Sequence, residues 1–124
     1  MVYPSLTEVL ALHSSIINEM GGLDGVLGIG YLEGALSHIQ NDTYYPTFYE
    51  KLAHLIFACV KFHPFIDGNK RTAIHIALYF IYRNNALDAN TSFPLLLEEV
   101  VLDLANGKLD KKGLLEWIQS HLCL

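Results

Sequence analysis

The stretch HPFIDGNKR, residues 63–71, decides how the chain is read, because it gathers an imidazole, a carboxylate, an amide and two cations around one glycine. Pro64 disfavours helical geometry at His63, so a helix arriving from upstream closes there. Gly68 permits a tight turn. A second helix beginning at Asn69 or Lys70 then points its first free N–H groups and its positive dipole end into that turn, a favourable place for an anion such as phosphate. Lys70 and Arg71 add charge at the same mouth, Arg71 as a bidentate fork and Lys70 as a flexible point charge. Asp67 is a hard oxygen ligand suited to Mg2+, which keeps waters and is completed by substrate phosphates. An imidazole such as that of His63 can take a proton from a hydroxyl near neutrality. These are the parts of a phosphoryl-transfer site. Polar residues between helices are also commonly just solvated, and the spacing alone leaves both readings open.

The flanks on both sides read as helices. Leu52, Leu55, Ile56, Cys59 and Val60 recur at helical spacing, which predicts a helix from Phe48 to about Phe62. Downstream, TAIHIALYFIY is apolar on nearly every side, so a helix from Asn69 or Lys70 to about Asn85 is expected to run through the centre of a bundle. Further out, Ser5 and Glu8 have capping-box spacing before a helix Leu6–Met20, which Gly21 and Gly22 stop. GVLGIG, residues 25–30, lacks the Lys-Ser/Thr of a phosphate loop and reads as a flexible turn into a helix over Tyr31–Gln40. NDTYYP, residues 41–46, is turn-rich and β-prone, with room for a short extended flap. NTSFP offers caps for a helix ending near Ala105, and Asp110 can cap a last one. The expected fold is all-α, a compact bundle of about six helices forming a single domain over residues 1–124.

Composition narrows the class. With 8 basic against 13 acidic side chains, the net charge of −5 repels phosphate backbones at long range, so nucleic acid is not an expected direct partner. The longest nearly apolar run, Ala73 to Tyr82, is far short of the roughly 18 residues a membrane span requires. No basic region followed by an apolar core opens the chain, and Cys59 and Cys123 lack CxxC spacing. A soluble, cytoplasmic protein with structural thiols is expected.

HPFIDGNKRTA resembles the signature of the Fic/Doc family, and in particular its Doc, or death-on-curing, branch. The likeness extends to LALHSSIINEMGG, YLEGAL, EKLAHLIFACVKFHPF and YFIYRNNA, and so spans nearly the whole chain. Family members that transfer AMP to protein hydroxyls carry a glycine after the motif asparagine and a second arginine three residues after the first. Here Lys70 and Ile74 stand at those places, and lysine matches the Doc pattern. The resemblance implies a toxin that passes the γ-phosphate of ATP to a threonine of elongation factor Tu and stops translation. It makes His63 the general base, Asp67 a Mg2+ ligand or hydroxyl-orienting group, and Asn69 a phosphate or metal contact. Gly68, Lys70 and Arg71 are then the phosphate holders.

Lys61 and His75 are weaker pocket candidates, being equally consistent with a surface lysine and a core histidine. His13, His38, His54 and His121 lack ligand-type companions and read as structural or exposed. By position, Thr43–Thr47 corresponds to the family's flap, which aligns a target segment. The family's usual Arg-Asp pair before its LE-AL helix is absent, Gly28 and Ile29 occupying that stretch. The self-inhibitory pattern of Ser/Thr, three residues, then Glu followed by Gly or Asn is also absent, since Ile29 lies four residues before the Glu33-Gly34 pair. A separate antitoxin is implied, with a disordered segment that folds as a helix on binding. The rival readings are AMP transfer, a catalytically silent binding module, and a metal-dependent hydrolase using His63, Asp67 and His75.

Overall fold

Half of the helix starts follow the capping chemistry of the sequence. The computed structural model describes residues 1–124 and contains six helices: α1 Leu6–Met20, α2 Ile29–His38, α3 Phe48–Lys61, α4 Asn69–Arg83, α5 Phe93–Ala105 and α6 Lys111–His121. Ser5 and Glu8 form a complete capping box at α1, Thr47 accepts from the Glu50 N–H at α3, and Asp110 accepts from the Gly113 N–H at α6. α2, α4 and α5 start with no side-chain cap and no acidic residue in the first turn, Ser92 making no cap bond at α5, and α4 begins after Gly68 in the left-handed region. The all-α expectation stands, and α2 begins at Ile29, two residues earlier than expected.

One core cluster of 26 buried residues joins the helices. α4 packs against α1, α3 and α5 and buries Ala73, Ile76, Ala77, Phe80 and Ile81. It shares the centre with α3, which packs on α2, α4, α5 and α6 and buries ten of its 14 residues. Full burial of a large apolar side chain contributes about 1.5–3 kcal/mol, so this α3–α4 layer dominates the fold.

Two of the buried α3 residues are polar. Lys51, 1% exposed, donates from Nζ to the Ile39 carbonyl and to Asp42 Oδ1, each at 2.6 Å. Burial opposes its charge, but the Asp42 carboxylate and Tyr3 outweigh it, and the Lys51 pKa is raised. His54 sits among Tyr45, His38 and Lys111, its Nδ1 lying 2.7 Å from Lys111 Nζ. Burial, then the Lys111 charge, pushes its pKa down to about 4.

The flap expected near Thr43–Thr47 is a turn. Asn41 Oδ1 accepts from the Thr43 and Tyr44 N–H groups, at 2.9 and 3.3 Å, forming a side-chain turn, and Thr47 is extended as the N-cap of α3. The chain's antiparallel bridge lies elsewhere, between Val26 and Phe65. Leu27 and Gly28 N–H groups donate to the Pro64 carbonyl, and Ile66 N–H donates to Gly25. The loop expected to be flexible is thereby pinned along the 63–71 stretch. No helix is long and apolar enough to cross a membrane.

Candidate active site

Lys61, His63, Asp67, Gly68, Asn69, Lys70 and Arg71 all line one cleft of about 670 Å³ between the α3–α4 loop and the end of α5. Ala105 and Asn106 complete its far wall, residues that sequence reasoning treated only as a helix terminus. Nothing local marks them, because a tertiary approach of α5 brings them there. His75 does not line the cleft. The opening lies at the first turn of α4, and His75 is half-buried one turn further along.

Asp67 is the best-anchored polar group. Its Oδ2 accepts from the Leu23 N–H at 3.1 Å and its Oδ1 from the Gly68 N–H at 2.8 Å. These two bonds, Leu23 first, hold its pKa below the ordinary carboxylate value, so it stays ionised. Gly22 makes room for it: a Cβ there would lie 2.7 Å from Asp67 Oδ2. The Gly21-Gly22 pair thus admits the carboxylate as well as ending α1.

Gly68 takes φ 77°, the left-handed geometry a glycine adopts without penalty. A Cβ at this position would come within 3.1 Å of Ile17 Cδ1 on α1, a tight contact that adds to the preference for glycine.

Asn69 uses its amide to shape the loop. Nδ2 donates to the Phe65 carbonyl at 2.9 Å, and Oδ1 accepts from the Phe65 N–H at 3.0 Å. Its second amide hydrogen faces His63 Nδ1 at 3.5 Å. Both hydrogens are engaged, which makes Asn69 an organiser of Phe65 and His63 in this structure. Phe65 is fully buried, as an anchor should be, while His63 is exposed. His63 is one of two non-glycine residues with positive φ, 47°, a conformation that costs energy and clusters at functional sites.

Lys70 is exposed and Arg71 half-buried, and neither takes part in the three ion pairs of the protein. The first turn of α4 therefore presents unpaired cations beside free backbone N–H groups, the reverse of the acidic first turn that helices favour. An anion in the cleft satisfies both features.

Sequence reasoning missed His13. Only 1% exposed, it reaches from α1 to bond the Asp67 carbonyl through Nε2 at 2.7 Å, and it stacks on Phe65 with centroids 3.7 Å apart. The single signal was a polar residue among the inward positions Val9, Ile16 and Ile17 of α1.

An all-helical domain whose motif loop feeds an uncapped, basic helix start defines the class. A model of the Fic/DOC family matches residues 3–81, from the approach to α1 through most of α4. A relative named "Protein kinase doc", from Escherichia phage P1, is 36% identical over 87 residues, which cover 68% of this chain and 69% of the relative. The chain belongs to the Fic/DOC family.

Proposed function

We propose that this protein is a Doc-type toxin that transfers the γ-phosphate of ATP to a threonine hydroxyl of elongation factor Tu, arresting translation in the cytoplasm. The observation that carries this reading is the cleft itself, where His63 and Asp67 face the uncapped first turn of α4 with Lys70 and Arg71. The relative's name, "Protein kinase doc", supports phosphoryl transfer as the reaction class.

In this mechanism the terminal phosphates lie on the α4 N–H groups, with Arg71 as a bidentate clamp and Lys70 neutralising charge. His63 removes the proton from the threonine Oγ. That oxygen attacks the γ-phosphorus, the bond to the β–γ bridging oxygen breaks, and ADP leaves. The His63 proton passes to solvent. The contact with Asn69 leaves Nδ1 as the bare nitrogen of the neutral ring. It is long enough that exchange to the other tautomer costs little.

Asp67 fits a Mg2+ ligand in one respect: each of its oxygens accepts one N–H bond and retains a second lone pair. No cluster of three acidic, histidine or cysteine ligands occurs, which suits an ion completed by phosphates and water. Bound there, Mg2+ would neutralise charge on the transferring phosphates. The exposed apolar side chains Val26, Leu27, Phe62 and Ile66 rim the loop and give a protein substrate a surface to lie on. The antitoxin belongs to the same proposal: with no self-inhibitory pattern in the chain, a separate protein folds a disordered segment onto the toxin.

The test incubates the protein, Mg2+ and elongation factor Tu with ATP labelled on the α or the γ phosphate, with His63→Ala alongside. Label from γ alone, lost at least a hundredfold in His63→Ala, is expected. Label from α means AMP transfer, and label from neither, with every partner folded, sinks both readings.

A further inference from the structure

The peptide group between Asp67 and Gly68 is held at both of its ends. Its carbonyl accepts from His13 Nε2 at 2.7 Å, and its N–H donates to Asp67 Oδ1 at 2.8 Å. A carbonyl only accepts, so Nε2 carries the hydrogen. Because the peptide unit is planar, tilting it breaks both bonds together. The same plane sets the approach to Gly68 and hence to the first turn of α4.

Of the two partners of this peptide, the Asp67 carboxylate lies within the loop and His13 comes from outside it, on α1. Its ring lies almost parallel to Phe65, with an interplanar angle of 5°, and on the other side Nδ1 faces Asp24 Oδ1 at 3.6 Å. Asp24 in turn accepts from the Gly25 N–H, at the start of the segment paired with Pro64–Ile66. Leucine at this position would supply apolar bulk against Phe65 but no donor to the Asp67 carbonyl. A buried ring nitrogen costs free energy unless it is bonded, and its bond is to the motif backbone.

We propose that His13 is a positioning residue for phosphoryl transfer: from α1 it clamps the Asp67–Gly68 peptide and so fixes the Asp67 carboxylate and the start of α4. Its catalytic consequence rests on the kinase reading above; the clamp itself does not.

The experiment compares His13→Gln, whose amide nitrogen takes the place of Nε2, with His13→Leu, which packs without a donor. His13→Asn, too short to span to Asp67, replaces the leucine variant if that one does not fold. Transfer of γ-label to elongation factor Tu is measured well below each melting transition, together with hydrogen exchange at the Leu23 and Gly68 amides. The expected result is a loss of roughly ten- to a hundredfold in kcat for the leucine variant, the scale of a misplacement approaching 1 Å. Its Leu23 and Gly68 amides exchange faster while core amides of α3 hold. The glutamine variant restores both rate and protection, a rescue that a merely space-filling role would not produce.

Wild-type rate and wild-type protection in folded His13→Leu would overturn the proposal. So would equal loss in leucine and glutamine variants of matched stability. If wild-type protein transfers no label, the kinase reading fails, and unchanged exchange at Leu23 and Gly68 in the leucine variant then rejects the clamp separately.

Discussion

Replacing Gly22 by alanine separates backbone strain from damage to the site, because its neighbour supplies the control. Gly21 and Gly22 have φ of 83° and 120°, so alanine at either is strained by about 1–3 kcal/mol. A Cβ at Gly21 meets nothing within 4 Å, whereas one at Gly22 lies 2.7 Å from Asp67 Oδ2 and 3.2 Å from Ile17 Cδ1. Ordinary contact begins at 3.4 Å, so the Asp67 carboxylate must retreat by 3.4 − 2.7, about 0.7 Å. At about 2.1 cal/mol/K per residue, unfolding entropy for this chain is roughly 260 cal/mol/K, and the strain lowers the Tm of each variant by about 4–12 °C. The carboxylate shift adds a second effect in Gly22→Ala alone, a fall of about ten- to a hundredfold in kcat. Calorimetry and γ-label transfer at a temperature where both variants are folded measure the two effects separately. Wild-type turnover in Gly22→Ala, or equal losses of turnover in both variants, would refute the reasoning that Gly22 exists to admit Asp67.

Lys51→Met leaves the Ile39 carbonyl without its donor and is expected to cost about 1–3 kcal/mol, and Asp42→Ala, which leaves the buried Lys51 ammonium without its carboxylate, is expected to cost at least as much. Because the folded Lys51 pKa is raised above its ordinary 10.5, the wild-type advantage over Lys51→Met is complete below that value and fades as pH rises through the higher one. A thermal titration into the alkaline range checks it, and a methionine variant as stable as wild type at neutral pH would contradict it. His54, held down to about 4 by burial and by Lys111, binds its proton less readily folded than unfolded. Its contribution to stability is therefore present above the ordinary 6.5 and lost progressively as pH falls to about 4. His54→Phe should flatten the Tm profile over that window, and an unchanged slope would assign the acid sensitivity to other groups.

The parts of the fold written in local chemistry were legible in the sequence. Ser5 with Glu8, Thr47 and Asp110 mark helix starts, and Pro64 with Gly68 marks the boundary between α3 and α4. Residues consecutive in the chain also came together in space, which is why the run from His63 to Arg71 converges on one cleft. What stayed hidden depends on partners far along the chain. α3 reads as amphipathic because Lys51 and His54 interrupt it, yet both are buried against Asp42 and Lys111, neither of which a helical period reveals. His13 and Asp67 are 54 residues apart, so a histidine on an otherwise apolar face gave no hint of what it bonds. The segment from Gly25 to Gly28 looked free because its hydrogen bonds go to Pro64 and Ile66.

The placement of charge along α4 bears on which end of a nucleotide the cleft receives. Lys70 and Arg71 occupy its first turn, on the same side of the cleft as the His63 loop. One turn on, Ile74 joins Lys70, Arg71, Val101, Leu102 and Glu98 around a separate cavity of about 180 Å³. In the proposed reaction, a phosphate chain continuing past the first turn would meet Ile74, Val101, Leu102 and Glu98 instead of a second arginine, with no cation beyond Lys70 and Arg71. The cations of this cavity are the same two that stand at the helix start. A terminal phosphate, which carries the most charge, gains most there, and it is then the phosphorus nearest the proposed base. Lys70 acts in the same direction: a side chain in place of glycine obstructs close backbone approach by the rest of the chain while adding charge at the mouth. Within the proposed function, the two departures from the AMP-transferring pattern, at Lys70 and Ile74, would favour one orientation for a shared physical reason.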